Sequence, residues 1–94
     1  MQKYERGDTM RIIAEFRDED GVLVDPTTPT VVIKMPDGVE FFSGIMDKTA
    51  TGMYKSDVQT EFTSDIGYWT VTVWGLYGTK RITEVEKIQI VEVI

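Results

Sequence analysis

One stretch decides the fold of this chain: Gly67-Tyr68-Trp69-Thr70-Val71-Thr72-Val73-Trp74-Gly75. Between its two glycines lie only aromatic residues, Val and Thr, which fit a pleated surface and lose rotamer freedom in a helix. Because side chains alternate across a strand, the stretch has two faces, which carry Trp69, Val71 and Val73 on one side and Tyr68, Thr70, Thr72 and Trp74 on the other. We predict that the first set faces the core, since burial of the second set would bury threonine hydroxyls. The stretch is thus predicted to be a central strand of an all-β domain.

Alternating apolar and polar residues predict further strands on the N-terminal side of this stretch. The alternating segments are residues 8–16, 30–35, 39–46 and 52–58. The second and third of these flank Pro36-Asp37-Gly38, where proline presets φ and glycine accepts a positive φ. We therefore predict a hairpin at this tripeptide. In the fourth segment, Tyr54 and Val58 are the residues expected to face inward.

The segments between these strands have turn and loop composition. Residues 47–52 are predicted to be a polar loop, and two prolines place residues 25–29 at a sheet edge or in a crossing loop. Residues 22–24 form a short strand or strand extension after the Asp20-Gly21 turn signal. Phe62 and Ile66 are expected to plug the space beneath a connection between two sheets.

A long final strand is predicted over residues 80–94, after a turn at residues 76–79. Its apolar residues do not keep one phase, because Ile82, Ile88 and Ile90 alternate together whereas Val85, Val91 and Val93 fall on the opposite face. A bulge or a switch between sheets near residues 84–87 would reconcile the two sets.

The predicted elements indicate one all-β domain over residues 1–94, with about seven strands arranged as an antiparallel β-sandwich. Turn signals recur at intervals of about eight to twelve residues, and no segment has a helical period of useful length. A small closed barrel is the structural alternative.

Composition excludes several classes of site. The chain has no cysteine and no histidine, which removes disulfides, thiolate metal sites and every nucleophile activated by histidine. The net charge of −6 arises from sixteen acidic and ten basic residues, so nucleic acid and anionic membranes are poor partners. The polar start of the sequence and the lack of a long apolar run lead us to expect a cytoplasmic protein.

The acidic residues do not predict a catalytic or metal site. Asp18, Glu19 and Asp20 could supply oxygen ligands to calcium, but the spacing of an EF-hand is absent and a solvated turn explains them better. The sequence singles out no pair of carboxylates for glycoside hydrolysis. We therefore expect no enzymatic activity and no cofactor.

The aromatic residues are the candidate interaction site. Tyr68, Trp74 and Tyr77 are predicted to cluster at the outer face or the end of the central strand, and one of the adjacent residues Phe41 and Phe42 must point away from the core. Exposed aromatics bury large rigid surfaces against protein partners and also stack on sugar rings. Packing of these aromatics over the rim of the core is the explanation that requires no partner.

The order of these signals resembles the immunoglobulin-like domain of the macroglobulin-like type, which occurs in α-macroglobulins and bacterial surface proteins. Short stand-alone versions are similar to uncharacterised phage and prophage proteins. The resemblance covers nearly the whole chain and rests on these segments: residues 4–12, 16–21, 31–38, 51–54 and 66–71.

The resemblance implies structural roles for several positions. Gly7-Asp8 would open the first strand, Pro36-Asp37-Gly38 would form the hairpin, and Gly67 with Trp69 would anchor the core. Gly52 and Tyr54 would belong to the strand before the crossing. Members usually occur in tandem in long exported proteins, whereas we expect this chain to be a single domain without a signal sequence. We expect a structural or protein-interaction module in a phage-type particle or another multisubunit assembly, with a partner protein or self-association. The alternative is a carbohydrate-binding module.

Overall fold

The computed structural model describes residues 3–61 and 66–92, which form eight β-strands. The strands are β1 (Lys3–Glu5), β2 (Thr9–Glu15), β3 (Thr27–Lys34), β4 (Glu40–Ile45), β5 (Asp47–Ala50), β6 (Met53–Gln59), β7 (Gly67–Tyr77) and β8 (Lys80–Val91). The described ranges contain no helix that is long and apolar enough to cross a membrane.

The strands form two sheets that pack face to face. The larger sheet has the order β1-β8-β7-β3-β4, and the smaller sheet has the order β2-β6-β5. The all-β prediction and the two packed sheets are confirmed. The expectation of a wholly antiparallel arrangement is wrong at one edge, because β1 pairs with β8 in parallel. This pairing follows from the short turn at residues 6–8, which sends the chain from one sheet to the other.

The core lies between the two sheets and is organised by β7. Trp69, Val71 and Val73 are buried, with Trp69 fully inaccessible to solvent. Thr70, Thr72 and Trp74 are half-buried on the opposite face of the same strand, and Tyr68 is exposed there. The predicted assignment of the two faces is therefore confirmed. The residues that pack against this strand from the smaller sheet include Met10, Ile12, Ala14, Tyr54 and Val58.

The predicted hairpin is also confirmed. Strands β3 and β4 pair antiparallel across the turn, in which the N–H of Gly38 donates to the carbonyl of Met35 at 2.9 Å and Gly38 has φ of 87°. Asp37 adds a side-chain bond to the N–H of Val39 at 3.0 Å. The three residues thus form the turn that their types predict.

The prediction that either Phe41 or Phe42 points away from the core is wrong. Both are partly buried and pack against the core. The register of β3 and β4 shifts between Ile33 and Lys34, and such a bulge breaks the strict alternation of side chains. The shift lets two consecutive phenylalanines contribute to one apolar face.

Two predicted loops are instead parts of strands. Residues 47–50 form β5 at the edge of the smaller sheet, although all four are exposed. Pro29 lies inside β3, which is a central strand between β7 and β4. The ladder with β7 is irregular between Thr27 and Thr30, where Thr28 has φ of 50°. This irregularity accommodates the missing N–H of proline, while the carbonyl of Pro29 accepts a bond from Met46. Of residues 22–24, Leu23 makes only an isolated bridge with Arg17.

The last strand is continuous, so the predicted bulge or sheet switch at residues 84–87 is wrong. Strands β7 and β8 pair residue for residue from Gly67 and Ile90 to Tyr77 and Lys80. This ladder also confines the turn predicted at residues 76–79 to Gly78 and Thr79. The two sets of apolar residues lie on opposite faces of this one strand. Ile88 and Ile90 are buried in the core, whereas Val85 is 60% exposed on the outer face. Ile66 is likewise 53% exposed and does not act as a plug, and Phe62 and Val93 lie outside the described residues.

Candidate functional site

The structure does not bring the three candidate aromatic residues together. Tyr68 and Trp74 share the outer face of β7 but are six residues apart, which is roughly 20 Å along a strand. Tyr77 has the opposite phase and lines a cavity with Asp18 and Lys80. Tyr68 and Tyr77 are exposed, whereas Trp74 is half-buried. They therefore do not form one stacking surface.

Trp74 instead belongs to an apolar area on the outer face of the larger sheet, which we call the outer patch. It consists of Val32, Ile45, Trp74, Leu76 and Val85. Cross-strand pairing places them in two neighbouring rows, in which Thr72 separates Val32 from Val85 and Thr30 separates Trp74 from Ile45. The apolar members are therefore diagonal neighbours across the strands. Ile45 and Val85 are 64% and 60% exposed. The patch spans four strands, or roughly 14 Å.

Cations border the outer patch. The guanidinium carbon of Arg81 lies 4.5 Å from the ring centroid of Trp74, which is the geometry of a cation–π contact. At the other end, Lys34 and Lys87 lie on either side of Thr70 on the same face, and Glu40 of β4 lies opposite Lys34. In a chain of net charge −6, this border of three cations and one carboxylate is a local reversal of charge.

A polar cluster around Asp25 fastens the loop before β3 to the smaller sheet. Its carboxylate accepts bonds from the N–H of Gly52 at 2.8 Å, the Tyr54 hydroxyl at 3.2 Å and Lys48 Nζ at 2.7 Å. The bond from Gly52 and the ammonium of Lys48 hold the pKa of Asp25 below its usual value. Asp25 in turn raises the pKa of Lys48, whereas burial is the main reason that the pKa of Tyr54 is raised.

This cluster has the properties of a structural clamp. A carboxylate with a lowered pKa and three donors is a poor proton acceptor at neutral pH. The sequence reasoning missed it, because Lys48 and Tyr54 are distant from Asp25 in the chain. The only local signal was an aspartate immediately before Pro26.

The acidic turn at residues 18–20 has its own protein partners. Asp18 accepts bonds from the N–H groups of Asp20 at 2.9 Å and Val22 at 3.0 Å, and Glu19 pairs with Lys80. Such side-chain bonds to the backbone explain aspartate in a turn without a metal. In the parts of the chain that the structure describes, no three acidic residues lie together in a way that could hold a metal ion.

The described residues of the outer patch therefore offer contact surface and charge. Comparisons with protein-family models, with curated proteins and with solved structures find no match for this chain.

Proposed function

We propose that this chain is an immunoglobulin-like β-sandwich that acts as a non-enzymatic structural or protein-interaction module in a multisubunit assembly. The observation that carries the proposal is the outer patch with its basic border. The resemblance of the strand and turn signals to stand-alone phage and prophage domains favours a phage-type particle, and thus a protein made in the cytoplasm and incorporated into a virion.

The order of the strands supports the immunoglobulin-like assignment. The order β2-β6-β5 corresponds to strands B, E and D of that fold, and β8-β7-β3-β4 corresponds to G, F, C and C′. In this scheme β3 and β4 are C and C′, which the described hairpin joins. The additional β1 lies beside G rather than beside B.

The composition of the outer patch supports a protein contact. The solvated face of an antiparallel sheet is ordinarily polar, whereas here Val32, Ile45 and Val85 share that face with Trp74. Tryptophan and arginine are the residues most enriched where binding energy is concentrated, and Trp74 and Arg81 are already in contact. An apolar centre with a charged border is the usual anatomy of an interface.

The charges favour contact between unlike surfaces. Two outer patches facing each other would bring Arg81, Lys34 and Lys87 of one copy against those of another. The acidic remainder of the domain is the complementary surface, so we propose that copies associate head to tail. Heterologous contacts of this kind build rings or filaments, which are the forms that a repeated component of a particle takes.

Measurement of solution mass over a concentration series, by sedimentation or light scattering, tests this proposal. We expect reversible association that weakens as salt is added, since salt screens exposed charges. Val85→Glu should abolish it by placing a carboxylate in the outer patch. Val22→Glu is the matched control, because Val22 is 58% exposed and lies in a turn region outside the patch.

A different result would point to the carbohydrate alternative. If the chain is monomeric at every concentration and binds members of a glycan panel, and if Trp74→Ala removes that binding, the outer patch is a sugar site. If Val22→Glu and Val85→Glu reduce association equally, the outer patch is not the contact.

A further inference from the structure

The two open sheets have four edge strands, and three of them are poor templates for a further strand. β1 has three residues and β5 has four, while β4 carries the bulge opposite Ile33 and Lys34. β2 is different, because all seven of its residues pair with β6 in unbroken register. A long, regular edge is a template for strand addition.

The backbone of β2 shows which of its groups face the open edge. In an antiparallel sheet, the backbone N–H and C=O groups of one residue point to one neighbouring strand, and those of the next residue point to the other neighbour. At one end of the β2–β6 ladder, the N–H of Phe16 donates to the carbonyl of Gly52, and at the other end the carbonyl of Asp8 accepts from the N–H of Thr60. Both are even-numbered residues that flank β2, so the even-numbered residues direct their backbone groups toward β6. The Tyr4 hydroxyl donates to the Arg11 carbonyl on the opposite side, at 3.4 Å. Odd-numbered residues, Ile13 among them, thus direct their N–H and C=O groups to the edge.

A groove runs beside this edge, beneath the overhang of the larger sheet. It has a volume of about 470 Å³ and is lined by residues of β2 at Arg11–Ile13, by Val71, and by β8 at Glu86–Ile88. A smaller depression continues it to Glu84. The groove is open to solvent along its length, which suits an extended chain better than an enclosed small molecule.

Two glutamates on the inward-facing side of β8 give this part of the groove a negative charge. Glu84 and Glu86 pair with Val73 and Val71, so they lie on the inward-facing side of β8. Both are nevertheless exposed, because the smaller sheet ends at β2 and does not cover them. No salt bridge to either is found in the described part of the chain. Burial of these carboxylates beneath an added strand requires cations on that strand.

We propose that the edge of β2 accepts an extended segment of a partner protein, which adds a fourth strand to the smaller sheet and places alternating basic side chains against Glu84 and Glu86. Backbone bonds to the odd-numbered residues of β2, apart from the Arg11 carbonyl that already accepts from Tyr4, supply the pairing. Side chains of the partner that enter the groove determine which segment binds, as in other cases of strand addition. The site is separate from the outer patch and does not rest on it.

The spacing along β8 defines the sequence of the partner segment. Glu84 and Glu86 are two residues apart, and alternate residues of an added strand share one face. Lysine or arginine at positions i and i+2 therefore matches the two carboxylates, and an apolar residue at i+4 meets Ile88. This order assumes that the added strand pairs antiparallel with β2. From Arg11 to Ile13, β2 runs from the level of Ile88 to that of Glu84, so an antiparallel segment runs from Glu84 to Ile88.

A second copy of this chain does not have the chemistry that the groove selects. If two β2 strands paired, the inward residues of each would be those already buried in its own core, including Met10, Ile12 and Ala14. No cation would reach Glu84 or Glu86 of the other copy. The complementary charge therefore favours a basic segment of another protein.

Titration with a short peptide tests the proposal. The probe is acetyl-Thr-Lys-Thr-Lys-Thr-Val-Thr-amide, and its counterpart carries glutamate in place of both lysines. We expect the lysine peptide alone to bind by calorimetry, with amide NMR shifts concentrated at residues 11–15. Binding of both peptides with equal affinity, or of neither at millimolar concentration, would overturn the proposal.

Two independent variants separate the backbone and charge contributions. Ile13→Pro removes an N–H that faces the edge and leaves the bonds to β6 in place, so affinity should fall roughly tenfold or more. The double variant Glu84→Gln with Glu86→Gln should weaken binding of the lysine peptide to a similar degree and leave the melting temperature nearly unchanged. Asp47→Asn with Asp20→Asn is the control for the loss of two negative charges, because both residues are exposed and lie outside the groove.

The outcomes also separate this site from the outer patch. Val85→Glu should bind the peptide as the parent chain does, even where it abolishes self-association. A peptide affinity that is unaffected by Ile13→Pro would place the peptide elsewhere. If the chain alone forms a dimer that Ile13→Pro dissociates, the edge belongs to a second copy and the basic-partner proposal fails.

Discussion

The two tryptophans of β7 give a direct test of how the strand is oriented, because they lie on opposite faces of the same ladder. Trp69 is fully buried, and its ring meets that of Phe41 edge-on with centroids 4.8 Å apart. Truncation of a buried tryptophan to alanine removes the transfer energy and leaves a cavity, at a cost of about 3–5 kcal/mol. Trp74 is half-buried and contacts Arg81, an interaction of about 0.5–1 kcal/mol at exposed sites.

These losses can be compared with the stability of the whole domain. A chain of 94 residues has a free energy of unfolding of roughly 5–14 kcal/mol. Trp69→Ala should therefore remove a large fraction of it and lower the melting temperature by roughly 12–40 °C, whereas Trp74→Ala should lower it by only a few degrees.

Urea unfolding followed by far-UV circular dichroism measures both free energies. Each variant retains a single tryptophan, so fluorescence reports separately on the buried and the outer position. Trp69→Phe is an intermediate control that retains an aromatic ring and should lose less than the alanine variant. Equal losses for Trp69→Ala and Trp74→Ala would refute the assignment of the two faces.

Two further predictions concern the residues that hold the loop before β3. Gly75→Ala should destabilise the domain by about 1–3 kcal/mol through overpacking, because its Cβ would lie 2.6 Å from the Cβ of Pro26 and 2.8 Å from its Cγ. Thermal unfolding should show that Pro26→Gly, which removes both of these atoms, recovers part of the loss, and purely additive effects would contradict the contact. Asp25→Asn should flatten the acid side of the stability profile, measured as urea midpoints from neutral pH down to about pH 2. The reason is that the bonds to a carboxylate with a lowered pKa stabilise the fold above its usual pKa of 3.8 and are lost as the pH falls through the lowered value. An unchanged acid limb would show that Asp57, whose pKa Arg11 also lowers, dominates instead.

The sequence was most informative where local chemistry and burial agree. The β3–β4 turn has Pro36, Asp37 and Gly38 at positions that each type favours, and the core face of β7 follows from simple alternation around Trp69. Tyr54 was predicted to face inward and is buried. In these places one periodicity or one turn preference determines the structure.

The failures occur where a tertiary feature overrides a local rule. The bulge in β4 allows Phe41 and Phe42 to serve one face, and the irregular ladder of β3 tolerates Pro29 in a central strand. In β8, Glu84 and Glu86 have the phase of core residues but lie beyond the cover of the smaller sheet. The alternation of apolar residues along a strand does not indicate how many strands each sheet contains. The part of the larger sheet that extends beyond β2, and the groove beneath it, could therefore not be predicted.

The candidate site shows the same limit. The sequence identified Trp74 but not its neighbours in the outer patch, because Val32, Ile45 and Val85 come from three other strands. Tyr77 was grouped with Trp74 because the two are close in the sequence. They are three positions apart, and residues an odd number of positions apart lie on opposite faces of a strand. Only the register of four strands assembles the patch.

The parallel pairing of β1 with β8 gives the domain a particular response to tension. Lys3 lies opposite Gln89 and Glu5 opposite Val91, and the ladder is extended by the bond from the Arg6 N–H to the Val91 carbonyl and by the pair of Arg6 with Glu92. A pull on Lys3 and Glu92 in opposite directions acts along these two strands, so their hydrogen bonds are loaded together in shear. The β7–β8 hairpin pulled at its open end would instead unzip one pair at a time. The pairing of the first and last described strands thus opposes the separation of Lys3 from Glu92 under load.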